Sequence, residues 1–463
     1  MALIGGRAFI GPVGRRPHEK RVPSPAAAPY DASPYDRVFL PVAQTGVKPV
    51  RFLHAADIHL DSPLAGLAAR AGDRAGTLVG ATRRAFDGLI RCAIERAVDF
   101  VIIAGDLYDG DWRDFATGLF LIEGMARLER AGIRVVMVRG NHDAENTMTR
   151  RLTLPKTVHV FESRKAETVR WPELGVAIHG RSFGKQHESE NFATGYPPAV
   201  PGVLNIGVLH TSATGRPPHD PYAPCSVQEL VDRGYDYWAL GHVHRREVLC
   251  EEPWIVFPGN LQGRDANETG AKGATLVTVE GQRIVSVEEV VLDVVRWARC
   301  TVEVSACADL DEVGDAVHAA LAEAVTAAGG RTLAVRLTLT GASPLHRRLV
   351  DATEQTVADW EAVALRAGDV WLERVTVATT DPEPLGLAAS DALAELIRTF
   401  EAVQGDRDGA LRSKLGEHLE KLPREIRDAA GLGDLTDAVL ADVLADARAI
   451  LLDRLLGGPE GRP

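Results

Sequence analysis

Four short apolar runs, Arg51 to Ala56, Phe100 to Ala104, Arg134 to Val138 and Leu204 to Leu209, each give way within three residues to Asp, Asn or His. Runs of this length, rich in β-branched residues and closed by Gly, Asp or Asn, suit strands buried on both faces of a sheet. Two longer stretches separate the first three, Thr82 to Ala97 and Phe115 to Ala131, with apolar residues at helical three- and four-residue spacing. The alternation predicts a layered α/β domain, whose sites belong at the carboxyl ends of its strands.

The residues at those ends fall into five segments: Asp57-Ile58-His59, Gly105-Asp106-Leu107-Tyr108-Asp109, Gly140-Asn141-His142-Asp143, His210, and Gly241-His242-Val243-His244. Two divalent cations held close together need several carboxylate, imidazole and carbonyl ligands, one carboxylate shared, and open positions for water and substrate. Asp57, His59, Asp106, Asn141, His210, His242 and His244 supply that inventory. A nitrogen and oxygen set without thiolate favours manganese, iron or zinc, and manganese is the expected pair. A D-x-H or H-x-H tripeptide alone signifies little, whereas five such pieces in order after strands point to phosphoester cleavage. A water bridging two cations loses proton affinity, so hydroxide becomes available near neutral pH for in-line attack on phosphorus.

That ordered set resembles the calcineurin-like metallophosphoesterase superfamily. Phe52 to Leu60, Gly105 to Asp109 and Pro258-Gly259-Asn260-Leu261-Gln262-Gly263-Arg264 resemble the bacterial DNA repair exonucleases of the SbcD type, especially their YhaO-like branch. The resemblance covers roughly residues 50 to 295. It implies a sheet sandwich flanked by helices, with Asp57, His59 and His244 on one metal, Asn141, His210 and His242 on the other, and Asp106 bridging. It also implies that His142 sits beside the leaving group as proton donor or charge stabiliser, oriented by Asp143. Nucleases of this type work on DNA with a long coiled-coil, SMC-like ATPase, and homodimerisation through the catalytic domain fits the same resemblance. The chain itself has no Gly-x-x-x-x-Gly-Lys-Ser/Thr loop for ATP phosphates.

Arg245 and Arg246 follow the last ligand and Arg139 precedes the Gly140 turn, which makes all three candidates for phosphate contact, with Arg264 and Lys272 behind them. His54 reads as a core histidine, His179 as either a core or a cleft residue, and Asp61 as either a support for a ligand or a solvated loop residue.

At 463 residues the chain exceeds what one hydrophobic core serves. Residues 1–48, with Pro23, Pro25, Pro29 and Pro34, read as a flexible extension, and 49–295 as the catalytic domain. Residues 296–380, with strand-like Cys300 to Val304, Thr332 to Leu339 and Trp371 to Val377 around a helix from Leu310 to Ala328, read as a small α+β domain, and the resemblance implies that it caps the site and helps select DNA. Residues 381–463, with helical spacing at Ala392 to Phe400 and Leu435 to Leu456, read as a helical region able to bind a partner. The net charge of -12 excludes a general DNA-coating protein but not a nuclease whose cations and local arginines meet phosphate. Five cysteines without a C-x-x-C pair suggest neither disulfides nor structural zinc, and no apolar run is long enough to span a bilayer, so the cytoplasm is the expected address.

The resemblance of the flanking segments, together with the extra domain, favours a DNA phosphodiesterase, an exonuclease acting on strand ends. A small-molecule phosphatase or phosphodiesterase would share every ligand. A noncatalytic DNA-binding scaffold would need none of them.

Overall fold

The computed structural model describes residues 48–62, 80–108, 115–144, 153–213, 222–351, 354–382 and 410–419, with Lys421 and a few positions between 439 and 447. The extension expected at 1–48 lies, but for its last residue, outside the described residues. So do Asp109, the helix expected at Ala392 to Phe400 and most of the one expected at Leu435 to Leu456.

In chain order the main elements are β1 (Val50–Ala55), α1 (Ala81–Glu95), β2 (Phe100–Ala104), α2 (Phe115–Arg130), β3 (Arg134–Val138), β4 (Val158–Val160), β5 (Glu167–Trp171), β6 (Val176–Gly180), β7 (Leu204–His210) and α3 (Val227–Val231). They continue as β8 (Tyr237–Gly241), β9 (Glu247–Glu251), β10 (Trp254–Phe257), β11 (Gly273–Glu280), β12 (Arg283–Val291), β13 (Val295–Glu303), α4 (Leu310–Ala328), β14 (Thr332–Ala342), α5 (His346–Val350), α6 (Glu354–Ala367), β15 (Val370–Thr380) and α7 (Ala410–Leu419).

Two six-stranded sheets form the first part, in the orders β12-β11-β1-β2-β3-β4 and β5-β6-β7-β8-β10-β9. Within the first, β1, β2, β3 and β4 run parallel, and within the second, β6, β7, β8 and β10 do. The sheets stack through one core of Phe52, Phe100, Ile102 and Val136 against Ile178, Ile206, Val208 and Tyr237. The outer face of the first sheet packs on α1 and α2 through Phe86, Leu89, Ile90, Leu121, Met125 and Leu128. Trp238, Leu240, Phe183 and Phe192 cover the outer face of the second. Each central strand is thus apolar on both sides, the reason its sequence reads as a continuous hydrophobic run.

This is the expected layered sandwich, and its two sheets both bear on the site. The β7 and β8 ends belong to the second sheet, so the functional residues come from two sheets and not from the edge of one.

The third sheet, β13-β14-β15, is parallel throughout, with α4 in the first crossover and α5 and α6 in the second. The strands and the helix read from the sequence are present, and α4 spans the expected residues. It starts at Asp309, whose side chain accepts from the Glu312 N–H, and ends at Gly329 in the left-handed region that a C-terminal glycine serves. A separate core of Val313, Val317, Leu321, Val335, Leu337 and Trp360 holds this unit together. Trp297 and Val295 also pack with Ala266 and Ala81, which joins the unit to the sandwich.

Phe100 is fully buried and stacks on Phe52 with ring centroids 4.9 Å apart. Phe100→Ala should destabilise the sandwich by about 3–5 kcal/mol, read as a lower denaturant midpoint.

Candidate metal centre

Asp57, Asp106 and Asn141 follow β1, β2 and β3 in the first sheet, while His210 closes β7 and His242 and His244 follow β8 in the second. The backbone beyond β1 is zipped to the loop beyond β2: Asp57 N–H donates to the Gly105 carbonyl at 3.0 Å and His59 N–H to the Asp106 carbonyl at 3.1 Å. Asp57, His59, Asp106 and His242 all adopt positive φ, at 50°, 46°, 49° and 105°. Strain of this kind on non-glycine residues persists only where surrounding bonds over-determine it.

Two clusters result. Asp57, His59 and His244 form one, and Asp106, His210 and His242 the other, with the candidate ligand atoms of each within 4.8 Å of one another. Asn141 joins the second cluster, its Oδ1 2.9 Å from His210 Nε2 and 3.3 Å from His242 Nδ1. All seven residues expected as ligands are therefore brought together. Asp57, His59 and His210 are completely buried, and Asp106 and Asn141 nearly so.

The donor geometry fits cations. His59 Nε2 and His244 Nε2 face each other at 3.1 Å. Two donors each about 2.1 Å from one cation and near right angles to each other stand about 3 Å apart. His210 Nδ1 lies 3.0 Å from the Ala104 carbonyl, an acceptor only, so this nitrogen keeps its proton and Nε2 is the atom that offers a lone pair once a metal displaces its own proton.

The electrostatics favour cations as well. Burial works to raise the carboxyl of Asp106, but His210, His142 and His59 hold it well below the usual range. Burial pushes Asp57 up to about 6 against the pull of His244 and His210, with Asp106 adding to the rise. Burial would lower His210, yet Asp106 and then Asp57 raise it to about 9. Carboxylates and imidazoles packed this closely hold protons where a divalent cation would replace them.

His142 is half-buried, its ring 5.1 Å from that of His59 and edge-on to it, and its backbone N–H donates to Asp106 Oδ1 at 3.0 Å. The two oxygens of Asp143 accept from the backbone N–H groups of Leu107, Tyr108 and Gly140 at 3.0–3.1 Å. It binds the loop after β2 to the loop after β3, and so fixes the positions of Asp106 and Asn141. Burial and the nearby Asp106 carboxylate push it up to about 6.

The remaining candidates divide. Arg245 is exposed beside the centre, and Arg139 is half-buried. Arg246 commits a guanidinium N–H to Thr275 Oγ1. Lys272 is buried and donates to the His244 carbonyl at 2.7 Å, so it holds the ligand loop and is not placed for phosphate. Arg264 pairs with Glu268 at 3.6 Å. His54 is a core residue bonded to Tyr237 Oη and the Leu240 carbonyl, and burial lowers it to about 3. His179 is likewise internal, between Thr168 and Asn205. Asp61 is tied to Arg83 and Thr117, fastening the ligand loop to α1 and α2.

Sequence reasoning misses Glu268 and Tyr222. The Glu268 carboxylate lies 2.6 Å from His244 Nδ1, and the Tyr222 ring lies 5.1 Å from that of His242. Neither follows a strand in the pattern that reveals the ligands.

Because His210 titrates near 9 in the metal-free chain, at pH 7 it is protonated and a cation must displace that proton. Metal affinity should therefore rise with pH up to about 9, and calorimetric titration at pH 7 should show release of on the order of one proton through the buffer dependence of its enthalpy. A buffer-independent enthalpy would contradict this. A Cβ at Gly140 would collide with Asp106 Oδ1 and the His210 ring. Gly140→Ala should therefore weaken metal uptake without removing any ligand, as the same titration would measure.

Comparison with known proteins places these features. Residues 50–246 match the calcineurin-like phosphoesterase family, and residues 297–380 match the middle domain of metallophosphoesterase YhaO. The uncharacterized metallophosphoesterase YhaO of Bacillus subtilis (strain 168) is 34% identical over 297 residues, which cover 63% of this chain and 72% of that protein. The DNA double-strand break repair protein Mre11 of Methanopyrus kandleri is 26% identical over 291 residues, covering 55% of this chain and 60% of that one. Its counterpart from Sulfurisphaera tokodaii is 25% identical over 260 residues, covering 53% and 63%. The chain thus spans less than two thirds of either Mre11. With a family match over the residues that build the centre and a relative of this identity and coverage, the chain belongs to the calcineurin-like metallophosphoesterases, metal-dependent phosphoester hydrolases, in their YhaO-like branch.

Proposed function

We propose that this chain is a two-metal DNA phosphodiesterase, an exonuclease of DNA repair that uses manganese. The observation that supports it most is the convergence of a carboxylate, amide and imidazole set from two sheets on two adjoining clusters, in a chain similar to Mre11 proteins named for double-strand break repair.

Asp57, His59 and His244 would hold one cation and Asn141, His210 and His242 the other, with Asp106 between them. Bound cations supply a nucleophile from water at neutral pH and offset charge on the phosphoryl oxygens. The chain's own residues do the rest. Asp106 and Asp143 keep the loops after β2 and β3 in register, and the Ala104 carbonyl holds His210 in the tautomer whose Nε2 is a donor to metal. His142, beside His59 and less buried than His59, Asp106 and Asn141, would stabilise the leaving oxygen or give it a proton. Arg245, exposed next to His244, would meet a neighbouring phosphate of a long substrate.

Because the chain has no ATP-binding loop of the Gly-x-x-x-x-Gly-Lys-Ser/Thr kind, ATP-driven action on DNA would come from a coiled-coil, SMC-like ATPase partner. Homodimerisation through the catalytic domain belongs to the same proposal.

The test is hydrolysis of end-labelled single- and double-stranded DNA beside bis-p-nitrophenyl phosphate, with manganese and with chelator. Asp106→Ala serves as the blank. Manganese-dependent shortening of DNA that disappears in the variant is the expected result, whereas cleavage of the small ester alone, unchanged when an ATPase partner is added, would favour a small-molecule enzyme. His142→Ala should keep both metals yet lose about 10²- to 10⁴-fold in turnover, while His210→Ala should also lose the second metal. Full activity of His142→Ala on DNA would remove the role given to it.

A further inference from the structure

Glu268 lies deep in the loop that joins β10 to β11, far along the chain from the apolar run of β10, yet its carboxylate reaches the centre. Oε1 stands 2.6 Å from His244 Nδ1, while Oε2 accepts from Asn260 Nδ2 and from the Arg264 N–H, each at 2.7 Å. The carboxylate side chain is only 11% exposed, and both of its oxygens are occupied. A carboxylate anion can only accept, so Nδ1 of His244 is the donor to Glu268, which leaves Nε2 as the ring atom available to a metal. That Nε2 is the atom facing His59 Nε2 at 3.1 Å.

His244 is gripped at its backbone by the same loop. Its carbonyl accepts from the Asn260 N–H at 3.2 Å and from Lys272 Nζ at 2.7 Å, at the two ends of the segment that carries Glu268. The outer side of that segment is fastened to β13. Gln262 bonds the Val295 carbonyl at 2.6 Å and accepts from the Val294 and Val295 N–H groups, and Trp297 Nε1 donates to the Gly263 carbonyl at 3.0 Å. Arg299 Nε donates to the Ala266 carbonyl at 2.9 Å, and the Gly270 N–H to the Trp297 carbonyl at 3.2 Å. The loop is thus held between the metal ligand and the third sheet.

We propose that Glu268 is the positioning residue of the Asp57, His59 and His244 cluster: it sets the tautomer and ring orientation of His244 for a cation, from a loop anchored on the first strand of the third sheet. The assignment shares with the metal-centre reading the premise that His244 binds a cation. It adds a carboxylate and imidazole relay that the ligand pattern in the sequence does not contain. A carboxylate standing behind a histidine ligand raises the basicity of the ligand and removes the entropy of ring rotation, and its loss costs about 10- to 100-fold in metal affinity.

The experiment is titration of manganese alone into the metal-free full chain, by calorimetry and by electron paramagnetic resonance, for wild type, Glu268→Ala, Glu268→Gln and His210→Ala. Wild type should take up two ions with a spin-coupled signal. Glu268→Ala should lose about 10- to 100-fold at one site and keep the other, and the site it keeps should be the one that His210→Ala weakens. Glu268→Gln, which retains an acceptor oxygen without the charge, should fall between. Two wild-type affinities in Glu268→Ala would overturn the assignment. So would equal weakening of both sites together with a lowered thermal midpoint, the mark of a merely structural residue. Should Glu268→Ala fail to fold, Glu268→Gln decides, and unaltered affinity at both sites overturns the proposal. A wild-type chain that takes up no manganese would sink the metal-centre reading and this assignment with it, whereas failure on DNA alone would leave both standing.

Discussion

Asp57 and His210 each bond across the gap between the two sheets. The Asp57 carboxylate, at the end of the first sheet, accepts the His242 N–H from the second, and His210 of the second donates to the Ala104 carbonyl of the first. These bonds close the sandwich at the carboxyl ends of its strands, and they run through residues that also offer ligand atoms. Positioning of the centre and closure of the fold are therefore one set of interactions. In a buried setting such bonds cannot be exchanged for water at small cost, which is why they can impose positive φ on Asp57, Asp106 and His242.

The same closure concentrates charge. Two buried carboxylates and four imidazoles lie within a few ångströms, and without cations their protonation is driven in opposite directions: Asp57 is pushed up while Asp106 is held down by His210 and its neighbours. Water would relieve such a cluster on a surface, but here the Phe183 ring packs edge-on against His210, and Asp57, His59 and His210 are wholly buried. Cations replacing protons resolve both demands. Asp143, itself raised by Asp106, carries part of the load by binding three backbone N–H groups that hold the ligand loops in place.

The ligands can be read from the sequence because each follows a strand core, as Ile102-Ile103-Ala104 precedes Gly105-Asp106, and hydrophobic runs are local patterns. His54 can be placed in the core for the same reason. The family resemblance implies a role for Asp143 beside His142, and folding adds bonds from its carboxylate to backbone groups 35 and 36 residues away and to Gly140, which no local pattern shows. Lys272 resembles a phosphate contact because it is a cation near a glycine turn, but burial turns it toward the His244 carbonyl. Glu268 is invisible to such reading, since nothing in its own neighbourhood distinguishes it from a solvated loop carboxylate.

What the sequence by itself determined was the strands, the helices between them and the seven candidate ligands, because these depend on side-chain polarity and on spacing within a few residues. Only the tertiary structure decided that the donors meet from two sheets, that Asp143 orders loops, and that Glu268 and β13 stand behind His244. Those outcomes depend on contacts between segments far apart in the chain, whose geometry is set when the sheets stack and buried polar groups must find partners.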